Sequence, residues 1–368
     1  MRVLHLFKVY LPDSYTGVER VIWQIAEGTA PLGVTTDVLS LSAHPDPNPV
    51  RIANHWAHQA KLDLYVRSTG LSFSLLPKFQ KLVAKADLVH YHFPWPMMDL
   101  MHLLARVRKP SVITYHSDVV RQKNLLRLYR PLMDRFLGSA DHIVATSPNY
   151  AASSSVLARY RDKLSVIPIG IAEAPAPDLN RIAAMRQHVG EGFFLFVGAL
   201  RYYKGLPFLL EAARSTGLPV VIAGGGDPSI VARERLGNVT LLGRVDEADK
   251  QALLSLCRVF AFPSHLRSEA FGVALLEAAQ AGKAMISCEM GTGTSYVNLD
   301  KVTGLTVPPG NASALGDAMQ RLASDPGLAL RMGEAARQRY VELFTAEAMG
   351  RSYAALYGQL IAAKASGP

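Results

Sequence analysis

The sequence predicts an α/β protein built from two doubly wound parallel-sheet domains facing each other across a cleft. Three observations carry that expectation. Short apolar strands alternate with helical stretches along the whole chain, the pattern of α/β units. The strands fall into two sets of six on either side of a Pro- and Ala-rich junction. The 368 residues also exceed what one hydrophobic core ordinarily supports.

In chain order, the first set is VLHLF (3–7), TDVLSL (36–41), LVHYH (88–92), SVITYH (111–116), HIVATS (142–147) and LSVIPI (164–169). A turn containing Gly17 follows the first strand and opens into the helix-like GVERVIWQIAEG. The junction PIGIAEAPAPDLNR (168–181) has no helical periodicity and reads as the linker. The second set is FFLFVG (193–198), PVVIAG (219–224), VTLLG (239–243), VFAFPS (259–264), AMISCE (284–289) and GLTVPP (304–309). The expected domains are therefore residues 1–169 and 170–345, with a helical tail over about 346–368 returning to the first. Ligands of open α/β sheets bind beyond the carboxyl ends of the strands, so the cleft is the expected active site.

Composition narrows the function classes. Apolar residues make up 49% and charged residues 19%, which describes a folded globular chain and excludes a disordered one. No apolar run reaches the roughly 18–20 residues of a membrane span, and MRVLHLFKVYL has no signal-peptide layout. A cytoplasmic location is expected. Cys257 and Cys288 lie in apolar surroundings and read as reduced core residues. The net charge of +9 is unevenly spread: residues 1–170 hold 20 Lys/Arg against 12 Asp/Glu, and residues 171–368 hold 19 against 18. The first half is thus expected to meet an anionic partner, whether nucleic acid, a membrane surface or a phosphorylated substrate.

Several motifs lead nowhere. DEAD (246–249) has no phosphate-binding GxxxxGK[ST] beside it and reads as a helix start. GGGDPS (224–229) lacks dinucleotide-fold spacing. There is no HExxH, no Cys-His cluster and no GxSxG, and no Asp-x-Asp that would hold Mg²⁺ on a diphosphate, so no metal is expected. What remains is SHLRSEAFGVALLEA (264–278), with Glu269 and Glu277 eight positions apart. On a continuous helix eight residues rise about 12 Å, beyond the roughly 5–9.5 Å of a hydrolytic carboxylate couple. If both glutamates serve a ligand, it is a long one.

Together, the two-sheet organisation, this Glu-x7-Glu pattern, the segment FVGALRYYKGLPFLLEA and the turn YTGVERV resemble the retaining glycosyltransferases of family 4. SPNYAASSSVL and EMGTGTSYVN are similar to bacterial mannosyl- and rhamnosyltransferases of polysaccharide assembly. The resemblance implies the GT-B fold of two Rossmann-like domains, with a nucleotide-sugar donor on the second and the acceptor on the first. It implies that Lys204 binds the donor diphosphate, that Arg201 stands in for an arginine many relatives have at Ala199, and that His116 lies near the donor sugar. Glu269 would touch sugar hydroxyls, with the backbone amides of Ala270, Phe271 and Gly272 beside it, and Glu277 would bind the ribose. Arg244 and Val245 are base-side candidates, and Gly17 would let the backbone approach phosphate.

The function expected is transfer of a hexose, mannose or a 6-deoxyhexose such as rhamnose, from a GDP-sugar to a lipid-linked saccharide. No cofactor is expected beyond the donor, and no nucleic acid. Arg127, Arg130 and Arg135 among leucines, and Lys78, Lys81 and Lys85 likewise, suggest docking on an anionic membrane, the inner face of the cell membrane. The alternatives are a sugar-nucleotide epimerase of the same fold, which the RYYKG and SEAFGVALLEA pair disfavours, and an inactive membrane- or nucleic-acid-binding protein. Hydrolysis of a sugar nucleotide without acceptor separates these.

Overall fold

A computed structural model describes the chain except for residues 67–68, 120–122, 233–235 and 367–368. It divides into two compact units, Met1–Ala172 with Thr345–Pro368, and Glu173–Phe344. Divided this way, the charge asymmetry is complete. The first unit carries 22 Lys/Arg against 13 Asp/Glu, or +9, and the second 17 against 17, or zero.

The first unit is an eight-stranded sheet with a separate hairpin. Its strands are β1 (Arg2–Leu6), β2 (Thr35–Ser42), β3 (Val50–Ile52), β4 (His55–Lys61), β7 (Leu88–Phe93), β8 (Ser111–Tyr115), β9 (His142–Ala145) and β10 (Leu164–Val166), and the hairpin is β5 (Leu64–Val66) with β6 (Thr69–Leu71). The order is β10-β9-β8-β7-β1-β2-β4-β3, parallel except for the β3–β4 pair. Four of these strands were not expected from the sequence. The reason is clearest in β4, HWAHQAK, which looks too polar for a sheet interior yet is buried at five of its seven positions. Its polar groups are matched one by one: His55 with Tyr10 and Glu27, each at 2.8 Å, His58 with Asp37 at 2.8 Å, and Gln59 with Asp13 at 3.0 Å. A buried polar strand is tolerable when every group has a partner, and single-residue hydropathy does not register that pairing.

The second unit is a six-stranded parallel sheet of β11 (Phe194–Val197), β12 (Val220–Ala223), β13 (Val239–Gly243), β14 (Val259–Phe262), β15 (Ala284–Cys288) and β16 (Gly304–Val307). All six lie within the stretches expected for them. Its core joins Phe194, Phe196, Ile222 and Ile286 to Leu209 and Leu210 of the helix Leu206–Thr216 and to Met319 and Met332. Cys257 and Cys288 are buried free thiols. The DEAD stretch is a helix start, with Asp246 capping Glu247–Leu256 by accepting from the Asp249 amide at 2.8 Å.

The tail helix Ala346–Ala365 is an integral part of the first unit. It crosses the helix Val18–Thr29 at Gly28 and Gly350, where a Cβ on Gly350 would lie 2.2 Å from the Gly28 carbonyl oxygen. Its Tyr353 and Tyr357 reach the sheet and bond Thr114 and His90, each at 2.7 Å. Gly350→Ala therefore forces two backbones apart. It should cost about 2 kcal/mol, read as a fall in Tm of roughly 5 °C by calorimetry. An unchanged Tm would contradict the tight crossing.

Candidate active site

The second sheet runs β13-β12-β11-β14-β15-β16, so its order reverses between β11 and β14. Counted from its first strand this is the 3-2-1-4-5-6 arrangement, in which ligands sit at the reversal beyond the carboxyl ends. Both loops leaving that point carry candidate residues. After β11 the chain reaches the 3-10 turn Tyr202–Lys204, and after β14 it reaches Glu269. The Lys204 Nζ donates to Glu269 Oε2 at 2.5 Å, and Ser264 Oγ donates to the same oxygen at 3.3 Å. The ammonium also lies 4.8 Å from the Phe262 ring centre and 5.4 Å from that of Tyr203. A cation and a carboxylate, each still 13% exposed, thus share the place where a ligand would bind.

Glycines make that approach possible. Gly205 has φ +76°, and a Cβ there would lie 1.9 Å from the Pro263 carbonyl oxygen, so only glycine lets the Lys204 turn lie against the β14 loop. GGGDPS, set aside above, has a comparable task. Leu200 N–H donates to Gly225 O at 2.8 Å, and a Cβ on Gly224 would lie 1.8 Å from Gly198 O, so this turn buttresses the loop bearing Arg201 and Lys204. Arg201 itself is exposed. Arg244 and Val245 follow β13, with the Arg244 side chain lying directly against Gly225. Ala270, Phe271 and Gly272 precede the helix Val273–Gln280, whose cap Gly272 has φ +85° and no capping side chain. The segment GTGTSYVN is brought alongside, the Gly293 N–H donating to Ala270 O at 2.8 Å.

The two glutamates are not spaced by a continuous helix, which corrects the geometric expectation. The helix starts only at Val273, four residues past Glu269, because Gly272 in the left-handed region breaks the path. The 12 Å rise therefore does not apply. Glu277 is 5% exposed, and its Oε1 accepts from Lys250 Nζ at 2.6 Å. Lys250, on the helix capped by Asp246, was not anticipated, since nothing local to its sequence distinguishes it from a solvated lysine.

In the first unit, Gly17 caps the helix Val18–Thr29 with φ +53° and no side-chain cap. Beside it, burial raises the carboxyl of Glu19 above its ordinary range, and Ser14 Oγ donates to it at 3.1 Å. His116 lies one residue past the end of β8 and is buried, its Nε2 3.0 Å from His92 Nδ1. His92 Nε2 is in turn 2.9 Å from His5 Nδ1. Burial depresses all three rings: His5 and His116 to about 3, and His92 well below the ordinary value. His5, His90 and His92 cluster closely enough to suggest a metal site. Five of their six nitrogens are already committed, however, all but His5 Nε2. His90 is held by Tyr357 at 2.7 Å and Thr114 at 2.6 Å, and the His5–His92 contact has hydrogen-bond length, so the cluster is a hydrogen-bonded array.

Comparison with known proteins follows the two units. Residues 182–339 match the model described as glycosyl transferases group 1, and residues 15–174 match that of glycosyltransferase family 4. The chain is 52% identical to D-rhamnosyltransferase WbpZ of Pseudomonas aeruginosa over 88% of its own length and 86% of that protein's. It is 48% identical to O-antigen chain mannosyltransferase C of Escherichia coli over 88% of each. Among solved structures it is similar to sucrose-phosphate synthase from Thermosynechococcus elongatus, with a TM-score of 0.82 and 24% identity over 98% and 99% of the two chains. It is likewise similar to Anabaena HepE in complex with UDP-glucose, at 0.76 and 17% over 98% and 100%. Both structures show the GT-B fold for this chain.

Because Glu277 and Lys250 are buried together, removing one partner leaves a desolvated charge that exposed Glu247 only partly offsets. Glu277→Ala should cost about 3 kcal/mol, lowering Tm by roughly 10 °C. Adding Lys250→Met should restore part of the loss. A double variant no more stable than Glu277→Ala alone would contradict the pairing.

Proposed function

The chain belongs to glycosyltransferase family 4, and from that premise we propose that this glycosyltransferase moves mannose or a 6-deoxyhexose such as rhamnose from a GDP-sugar to a lipid-linked saccharide, with retention of configuration and without a metal ion. The setting proposed is the assembly of a cell-surface polysaccharide. The names of its two relatives, a D-rhamnosyltransferase and an O-antigen mannosyltransferase, support the sugar and the pathway class.

The observation that carries the reading is the meeting of Lys204 and Glu269 at the strand-order reversal. A bound donor would divide this pair. The diphosphate takes the Lys204 ammonium, assisted by exposed Arg201, while the freed Glu269 carboxylate accepts hydrogen bonds from sugar hydroxyls. Two cations at the diphosphate neutralise the charge that grows as the nucleotide leaves, which is the service a metal would otherwise give. The amides of Ala270, Phe271 and Gly272, at an uncapped helix start, favour the same phosphates. Arg244 and Val245 serve the base, Glu277 the ribose, Gly17 the phosphate side, and His116 gives a hydrogen bond to the sugar. The acceptor hydroxyl attacks from the face the nucleotide leaves, and the departing phosphate takes its proton.

The +9 charge of the first unit and its exposed apolar residues support docking on an anionic bilayer. Phe73 is 92% exposed just before the helix Leu75–Lys85, and Leu128 is 79% exposed between Arg127 and Arg130. Lys78 does not join that face freely, since its Nζ donates to Gln59 O at 2.6 Å. Among the described residues no helix is long and apolar enough to cross a membrane.

Purified protein incubated with GDP-mannose or GDP-rhamnose and a lipid-linked saccharide should form product at the same rate with and without a chelator. Lys204→Ala should lower kcat/KM by about a hundredfold or more, the loss expected when a charge stabiliser of the leaving group is removed. Turnover within a few-fold of the parent, or its abolition by the chelator, would contradict the reading.

A further inference from the structure

The histidines of the first sheet form a straight ribbon. In register, His5 on β1 lies level with His90 on β7, and His92 is two residues further on. His92 lies level with Thr114 on β8, and His116 is again two residues further on. Each step thus crosses one strand and advances two residues toward the carboxyl edge on the same face of the sheet. The ring centres are 5.2 Å apart for His5–His92 and 5.3 Å for His92–His116, with interplanar angles of 19° and 21°. These separations exceed the nitrogen–nitrogen distances of 2.9 and 3.0 Å by about two ring radii. The three rings therefore meet edge to edge, nearly in one plane, in the arrangement that suits N–H···N hydrogen bonds.

Such a ribbon has only two proton arrangements, because each neutral imidazole has one donor and one acceptor. The end group decides between them. His5 Nε2 is buried and has no hydrogen-bond partner. An orphaned buried N–H is rarer in proteins than an unfilled acceptor, so His5 Nε2 is the bare nitrogen. Its Nδ1–H then donates to His92 Nε2, and the His92 Nδ1–H donates to His116 Nε2. The proton of His116 is left on Nδ1.

We propose that His92, set by His5, is a positioning residue that holds His116 in one ring plane as the Nδ1–H tautomer, so that His116 faces the transferred sugar as a hydrogen-bond donor. The sugar contact rests on the function proposed above; the ribbon and its tautomers do not. His92 contributes by fixing which nitrogen of its neighbour carries hydrogen. Without it, His116 would divide its population between tautomers, and only one of them donates to a sugar oxygen.

Two variants of nearly equal composition separate this from a packing role. An asparagine amide nitrogen falls near histidine Nδ1, and a glutamine amide near Nε2. His92→Asn therefore keeps a donor for His116 and cuts the link to His5, whereas His92→Gln keeps the His5 link and leaves His116 Nε2 without a partner. The full chain, labelled with ¹⁵N-histidine, is read by two-bond ¹⁵N–¹H correlation NMR alongside donor KM, kcat and Tm. The wild type should show His5, His92 and His116 all protonated at Nδ1. His92→Gln should give mixed tautomers at His116 and a kcat lower by about tenfold, the weight of roughly one hydrogen bond. His92→Asn should keep both the tautomer and kcat within about twofold, although both variants lose comparable Tm.

Equal kcat losses in the two variants, or an unaltered His116 signal in His92→Gln, would overturn the proposal. If neither variant folds, the wild-type spectrum decides, since protonation of Nε2 at any of the three rings contradicts the ribbon. His116→Ala with undiminished turnover would refute the sugar contact alone, and the spectrum would still judge the tautomers.

Discussion

The candidate site is built on one meeting: a lysine and a glutamate 65 positions apart in sequence held at 2.5 Å where the strand order of the second unit reverses. Neither residue could reach the other along the chain. They meet because β11 and β14 are neighbours whose loops leave the same edge, and because Gly205 lets one loop lie on the backbone of the other. Such a pair is stable in the free protein because each charge has a partner. It is also easily reopened, since a ligand bearing phosphates and hydroxyls offers each charge a replacement. In the function proposed, the pair stands in for the donor, keeping a cation and an acceptor ready without leaving either unpaired.

The first unit uses the opposite strategy. There many polar groups are sealed in, the ribbon histidines held neutral by burial and Asp37 paired with Arg2 and His58, and hydrogen bonds fix their orientation. The β4 histidines and the His5–His92–His116 ribbon are buried polar networks in which nearly every nitrogen has a partner, the condition under which such networks rigidify a fold. The tail helix belongs to this design, since Tyr353 and Tyr357 close the network over Thr114 and His90. The unit's net charge of +9 is what the proposed docking on an anionic surface would draw on.

Much of the fold was legible in the sequence because its strands alternate with helices at regular intervals. The second sheet was readable strand by strand: its interiors are continuous apolar runs such as FLFV and VVIA, which have few other uses. The first sheet was less so. HWAHQAK resembles a loop until its partners Tyr10, Glu27, Asp37 and Asp13 are known, and those are set by folding. At the candidate site, Lys204 and Glu269 were legible by type and by their positions after strands, and their direct contact was not. The exact start of the helix at Val273 was not fixed either, because a glycine among SEAFGVALLEA can end a helix or sit inside one. Lys250 and the linkage of His116 to His92 and His5 were not legible, for the same reason as β4. Their meaning lies in distant partners, and a single sequence records residues but not pairings.

If Lys204 addresses the diphosphate and Glu269 the sugar, the two halves of a donor should report on them separately. The most direct measurement is calorimetric titration of GDP and of the GDP-sugar against the parent protein and Glu269→Gln. Loss of the carboxylate should weaken the GDP-sugar by about tenfold or more, as when a charged hydrogen-bonding partner is removed, and leave GDP as tight or tighter because Lys204 is released. Equal weakening of both ligands, or none of either, would contradict the division of labour on which the account rests.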